Sequence, residues 1–207
     1  MGMLLIDRNM TAAQTEELLR QAGILPNRTF VQIVAIGGGS SGANTTQLAN
    51  PSIAAGGNSG SMSIFQGTFS TLTHAVTIGQ GGANAANGGT TSFGTLVSAT
   101  GGSLAPRQTP GRGIGGNGGR QGSQATVSFP NVQGGQGTGT GGAGGAGGTG
   151  GGGGIGVGVS AGNGSDIGGN GGTGYGAGGG SGVGTSQSGS FPNTGGAGAQ
   201  GAVFIYY

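Results

Sequence analysis

GGQGTGTGGAGGAGGTGGGGG, residues 134–154, is the stretch on which the reading of this chain turns. It is the densest part of a run from Gly113 to Gly201 in which Gly-Gly-x recurs almost without a break, with echoes at 115–119 (GGNGG), 168–174 (GGNGGTG) and 195–201 (GGAGAQG). An α-helix is excluded, because glycine destabilises one by roughly 1 kcal/mol per residue. An ordinary strand is excluded as well, because no side chains are present to pack across a ladder. Two readings remain: a Gly/Ser linker, or a bundle of left-handed helices with three residues per turn and polyproline-II geometry. In such a helix the N–H and C=O groups point outward, and glycine lets neighbours approach until those groups bond to one another. Ordering so many glycines carries a large cost in backbone entropy, which dense hydrogen bonding between helices offsets. The bundle is the reading taken. Collagen is the wrong comparison, since the chain has only 6 prolines and its glycine phase slips repeatedly.

Composition narrows the rest. Gly makes up 60 of 207 residues, and charged residues are 5%, so any conventional hydrophobic core is small. The net charge of +2 comes from six arginines and no lysine, with Arg8, Arg20 and Arg28 interspersed among Asp7, Glu16 and Glu17. No basic face results, and nucleic acid is not an expected partner. Without cysteine, disulfides and thiolate metal sites are excluded. MGMLLIDRNM at 1–10 has a four-residue apolar run closed by Asp7 and Arg8, which does not read as a signal peptide. Ile6 stands where a myristoylation motif requires Ser or Thr. No apolar run approaches the ~20 residues that span a bilayer, so membrane insertion is not expected.

Four segments follow. Residues 1–28 hold six of the ten charges. Thr11 and Gln14 form a capping box, Ala12–Ala22 is good helix-forming sequence, and Gly23 with Pro26 ends the helix. Leu18, Leu19 and Ala22 give it one apolar edge. A helix this short is marginal alone; its edge is expected to dock either on the glycine-rich body or on a partner, and the partner is the reading taken, with Met3–Ile6 as a short strand or extended arm. Residues 29–112 form a β-rich part: TFVQIVAI at 29–36, MSIFQGTF at 62–69, HAVTI at 74–78, and TSFGTLVSAT at 91–100 as two strands broken at Gly94. Residues 79–89 read as a turn-rich link. Residues 113–201 are the polyglycine-II bundle with loops. AVFIYY at 202–207 is a closing strand expected to pair with 29–36. The fold class is thus mostly irregular and β, with one short N-terminal helix and a glycine-helix bundle.

The order of pieces resembles a known family. An apolar strand running into glycines (VQIVAIGGGSSG), then VTIGQGG, then GGTTSFGTLVSATGG, a long Gly-Gly-x body and GGAGAQGAVFIYY together look like the glycine-rich domain of bacteriophage tail-fibre and tail-tip adhesin proteins. The resemblance covers roughly residues 29–207 and leaves 1–28 outside it. It implies a virion tail protein made in the host cytoplasm, with loops on a rigid bundle binding a bacterial surface protein or glycan. Residues 1–28 would then fasten it to other tail or fibre proteins. Fibres of this kind are often trimeric, so a homotrimer is a possible state. The resemblance brings no catalytic residues, and contact residues vary among members.

Contact candidates come from the sequence itself. The glycine runs are interrupted at 103–110, 123–133, 155–167 and 183–194, and two interruptions share SFPN. Proline ends a hydrogen-bonded run and stiffens a loop, which makes Phe129, Pro130, Asn131 and Phe191, Pro192, Asn193 candidate loop apices. Aromatics on rigid loops are common anchors of recognition; the alternative is that each phenylalanine tucks beneath its own loop. Tyr175 is either a packing plug or a surface contact. Arg107, Arg112 and Arg120 either engage acidic sugars or phosphates or bond backbone carbonyls.

Other signals are set aside. GIGGNG at 113–118 matches the dinucleotide fingerprint, but a chain this rich in glycine produces it by chance, and neither the helix nor the acidic residue follows. Without lysine there is no Walker A loop. His74 is the only histidine and reads as structural, and Asp166 is the only acid after Glu17, so no carboxylate pair exists. Asn9, Asn27, Asn44 and Asn163 begin glycosylation sequons that matter only in a eukaryotic secretory route. Thr138, Thr140 and Thr149 are too irregular for an ice-binding face. No enzyme activity, metal or cofactor is expected. The competing reading is a virion decoration, cap or assembly protein that contacts no receptor.

Overall fold

A computed structural model describes residues 1–42, 52–53, 57–104, 155–157, 172–179, 183–184 and 195–207. In chain order the elements are β1 (Met3–Ile6), α1 (Ala12–Gln21), β2 (Phe30–Ile36), β3 (Ser52–Ile53), β4 (Met62–Thr68), β5 (Val76–Thr77), β6 (Thr91–Phe93), β7 (Val97–Ala99), β8 (Ile155–Val157), β9 (Thr173–Tyr175), β10 (Val183–Gly184) and β11 (Ala202–Tyr206). The described residues are therefore mostly strands and irregular segments with one helix.

Two antiparallel sheets make the core. One has the order β1-β11-β2-β4, the other β5-β6-β7. The expected pairing of the two strongest β runs is present, with Ile36 opposite Ala202 and Gln32 opposite Tyr206. The break at Gly94 is present as well: its φ of +51° makes the tight turn from β6 to β7. Alternation decides the faces. Val31, Ile33 and Ala35 of β2, with Val203 and Ile205 of β11, turn inward onto Phe93, Val97 and Ala99. Two contacts draw the sheets together at their edges. Met10 and Val76 exchange backbone hydrogen bonds at 3.0 and 2.9 Å, and the Ser63 hydroxyl donates to the Ser98 carbonyl at 2.7 Å.

Helix α1 closes one side of this sandwich. Its capping box is formed as the sequence predicts, by Thr11 and Gln14. Its apolar edge goes elsewhere than expected: Leu19 is fully buried in the chain's own core, and Leu18 and Ala22 pack against the same cluster. Of the two forms expected for Met3–Ile6, the short strand is the one present: β1 pairs with β11 from Met3–Tyr206 to Ile6–Val203. The physical reason is that a ten-residue helix and a four-residue strand each gain stability only through tertiary contacts, and the sandwich offers both.

The glycine runs that continue these strands bond in a different way. The amides of Gly37, Gly38 and Gly39 donate to the carbonyls of Ser61, Gly89 and Ala199 at 2.9, 2.9 and 2.8 Å. The next three, of Ser40, Ser41 and Gly42, donate to Asn58, Ala86 and Gly196 at 2.9, 3.1 and 2.9 Å. Each neighbour is revisited after three residues, three positions earlier in its own numbering, so partners rotate with a period of three and those neighbours run antiparallel. A strand would alternate between two sides instead. The carbonyls of Gly38, Gly39 and Ser40 accept from Gly102, Gly82 and Gly179. Segment 37–42 is thereby enclosed by six runs: 57–61, 86–89 and 195–201 take its amides, while 79–82, 100–103 and 176–179 reach its carbonyls. The six also bond in a closed ring, through Ser61–Thr100, Gly88–Gly102, Gly89–Gln80, Gly198–Gly82, Ala199–Ala177 and Gly57–Gly179.

Glycine is needed here for closeness. Gly37, Gly38 and Gly39 are not among the residues with positive φ, but a Cβ on each would overlap the carbonyls of Thr100, Gln80 and Ala177 respectively. Ser40 and Ser41 fit because their hydroxyls join the backbone lattice, each accepting a neighbour's amide at 2.8 and 2.9 Å. This arrangement occupies part of 29–112, where the sequence suggested strands and links. Residues 79–89 in particular are two hydrogen-bonded runs joined by a turn at Asn84 and Ala85, whose φ values are +52° and +61°.

Candidate functional site

The sandwich and the glycine runs give the molecule two ends. Runs 37–42, 79–82, 100–103 and 176–179 leave strands β2, β5, β7 and β9, while 57–61, 86–89 and 195–201 lead back into β4, β6 and β11. Five run ends adjoin residues outside the description: Gly42, Leu104 and Gly179 on outgoing runs, and Gly57 and Gly195 on returning ones. All of these lie at the end of their runs away from the sandwich. Two of the connections meet there, because β10 pairs with β3 through Val183–Ile53 and Gly184–Ser52.

Phe191, Pro192 and Asn193 belong to the connection from Gly179 to Gly195, but they lie outside the described residues. So do Phe129, Pro130, Asn131, Arg107, Arg112 and Arg120. Tyr175 is described. It is half-buried on the outer face of the four-stranded sheet, its ring edge-on to Phe204 with centroids 5.9 Å apart. Packing is its evident work.

The charges of the described residues gather at the other end. Glu16 and Arg20 form the one ion pair among them, at 2.8 Å. The Arg20 guanidinium first, and the Thr73 hydroxyl second, hold the Glu16 carboxylate below its ordinary range. Every large exposed apolar side chain of the described residues also falls here: Met1, Met3, Leu5, Leu25 and Phe30. None of these five was named as a contact in the sequence, where Met3 and Leu5 belong to the apolar run at 3–6 and Phe30 to the β run at 29–36.

Residues 8–10 and α1 together border an open groove with a volume of about 590 Å³. Its apolar lining comes from Met10, Ala13 and Leu18, and its polar lining from Arg8, Asn9, Gln14, Glu17 and Gln21. Asn9 is positioned by the sheet, its Oδ1 accepting from the Ile78 amide at 2.7 Å. The Gln200 side chain ties the neighbouring Asp7 carbonyl to the run entering β11, at 3.2 Å.

His74 is buried between Phe69 and Phe93, with ring centroids 5.4 and 5.1 Å away. Its Nε2 lies 2.8 Å from the Thr71 carbonyl oxygen. Burial lowers its pKa from the ordinary histidine value, and the Thr71 contact opposes that only in part. No cluster of three or more metal-ligating side chains exists among the described residues. No helix among them is long and apolar enough to cross a membrane. No known protein family matches the chain, and no curated protein matches its sequence.

Proposed function

We propose that the chain is a bacteriophage virion tail protein, in the fibre or at its tip, and that it attaches the particle to its host. Its glycine runs are polyglycine-II helices forming a rigid stage that extends through 113–201. Loops at the end remote from the sandwich, with Phe129 and Phe191 as anchors and Arg107, Arg112 and Arg120 as candidate contacts, meet a bacterial surface protein or glycan. Residues 1–28 and the sandwich end face other tail proteins, in a single chain or a homotrimer. On this reading the protein is not an enzyme and uses no cofactor. The observation that carries it is the threefold rotation of backbone partners around segment 37–42, the pattern expected when three-residue-per-turn helices pack side by side. Pre-organised loops on such a stage lose little entropy on binding.

Binding of purified protein to bacteria that the virus adsorbs to, with Phe129→Ala and Phe191→Ala alongside, tests the reading. Strain-selective binding that the variants lose supports an adhesin. Absence of binding to every such strain favours the second reading, a structural cap or decoration. That alternative draws on the charge-free composition of the described glycine runs.

A further inference from the structure

Among the described residues, the two core sheets have one edge that the chain leaves open. β4 and β7 join each other through the Ser63 hydroxyl, and beside it the Ser61 amide donates to the Thr100 carbonyl at 2.9 Å. The outer side of β5 is taken by Met10. β1 is the remaining edge. Gly2 and Tyr207 exchange backbone hydrogen bonds at 2.6 and 3.0 Å, and the register runs on unbroken to Ile6–Val203. Antiparallel pairs alternate, so Leu4 and Ile6 turn their N–H and C=O groups to β11, while Met3 and Leu5 turn theirs away from the sheet. No described residue bonds to those outward groups. The Asp7 carbonyl beyond them is taken by the Gln200 side chain. Met3 and Leu5 also expose their side chains, by 56% and 42%. On the outer face Leu5 continues a row with Phe204 and Val34, and Met3 one with Tyr206 and Gln32. β1 contains no proline, charge or bulge, the usual guards of an edge strand.

We infer that β1 seats an extended segment of the tail protein to which this chain is fastened, added to the sheet as a further strand. Its backbone bonds to the outward N–H and C=O groups of Met3 and Leu5. Aliphatic side chains at alternate positions of the segment lie beside Met3 and Leu5 on the outer face. A charged side chain there would find no opposite charge in either row. Strand direction decides against a second copy of this chain as the occupant. β1 runs from the sandwich end toward the glycine runs, since Ile6 lies opposite Val203 at the start of β11, directly after run 195–201. Two copies paired about a two-fold axis through β1 would lie antiparallel, with their glycine runs pointing in opposite directions. One set of loops would then face the particle instead of the host. A strand from a different protein carries no such constraint. The inference rests on the attachment reading, and it moves the contact from the inward-facing Leu18–Leu19–Ala22 edge to the open edge of β1.

The test is a titration of the full-length ¹⁵N-labelled protein with the peptides acetyl-Thr-Val-Thr-Val-Thr-amide and acetyl-Thr-Asp-Thr-Asp-Thr-amide, followed by NMR. The valine peptide should shift the Met3 and Leu5 backbone amide signals saturably and slow their hydrogen exchange. The aspartate peptide should bind about tenfold more weakly or not at all. Leu5→Pro removes an outward N–H and leaves the bonds to β11 in place, a position where an edge strand tolerates proline. It should abolish the response while the spectrum away from β1 is unchanged. Leu5→Lys, which keeps the backbone intact and puts a charge on the edge, should weaken it about tenfold and stands in if the proline variant does not fold. Equal responses to both peptides, no response to either, or a response that these variants leave intact overturns the inference. A dimer in sedimentation that Leu5→Pro dissolves, without peptide binding, overturns it in favour of a second copy. Incorporation into virus particles reads attachment separately. Leu5→Pro protein incorporated as well as the wild type overturns the edge as the contact and leaves attachment standing at another surface. Valine-selective binding by a wild-type protein that no particle carries upholds the edge and defeats attachment.

Discussion

Gly60 stands directly against the carbonyl of Gly37, so close that a Cβ on Gly60 would lie inside that carbonyl group. The two residues belong to neighbouring runs, and nothing but backbone separates them. A side chain cannot swing aside here, because the obstacle is main chain.

Gly60→Ala should therefore destabilise the protein by at least about 3 kcal/mol, the upper range for overpacking, since the Gly60–Gly176 hydrogen bond is strained along with the Gly37 contact. Gly23→Ala is the control. Its φ of +75° carries left-handed strain of about 1–2 kcal/mol, but nothing lies within 4 Å of the added methyl. Denaturant titration of both variants measures the difference. Equal losses would show that the close approach contributes nothing.

Leu19→Ala should cost about 2–5 kcal/mol, the range for truncating a buried leucine, because Leu19 is fully buried in the sandwich core. Glu17→Ala, exposed on the same helix, should cost under about 0.5 kcal/mol. A Leu19→Ala protein that keeps its stability and only fails to assemble would return the helix edge to the role of partner contact.

Acid should weaken the fold in two separate windows. Burial lowers the folded-state pKa of His74 below the ordinary 6.5, so between those values the unfolded chain binds the extra proton. Stability is then full above about pH 6.5 and falls as pH drops toward the lowered folded value. Glu16, held down by Arg20 and Thr73, acts lower: its contribution is present above the ordinary carboxylate value of 4.5 and declines as pH falls below it. Melting temperatures from pH 8 to 2, with His74→Gln, check this. The variant should lose the upper window and keep the lower one, and an unchanged profile would refute the assignment.

Tyr175→Phe should leave stability and host binding unaltered, since the work of the ring is its edge contact with Phe204. Tyr175→Ala should lose about 0.5–1.5 kcal/mol beyond the buried area, as for other aromatic pairs. Thermal denaturation and a cell-binding assay on the same samples separate the two effects. Host binding lost in Tyr175→Phe would restore it as a surface contact.

Local signals were legible in the sequence, and destinations were not. Thr11 with Gln14, Gly94 between two short strands, and the pairing of 29–36 with 202–207 each follow from a pattern a few residues long or from being the two strongest β runs present. Leu19 shows the limit. Its spacing marks a buried side of a helix but not the surface that buries it, and the core of this same chain proved to be that surface. GGGSSG at 37–42 shows another. By itself it reads like any linker, because its structure consists of bonds to six runs spread from Gly57 to Gly201. No window along the sequence contains them.

Contacts that recur every third residue cannot tell one triplet from the next. A Gly-Gly-x tract sliding past its neighbours by three positions recovers almost every bond it breaks, so the tract has no alignment of its own. The strands supply it: β2, β4, β5, β6, β7 and β11 each anchor one end of a run at a fixed height. The sandwich works as a loom that sets the starting point of every thread. Triplets inserted in matching pairs on an outgoing and a returning run would leave the woven edge untouched and lengthen only the far fringe. Reach can thus drift over generations, in nine-nucleotide steps, while the part of the molecule that must fold correctly stays the same.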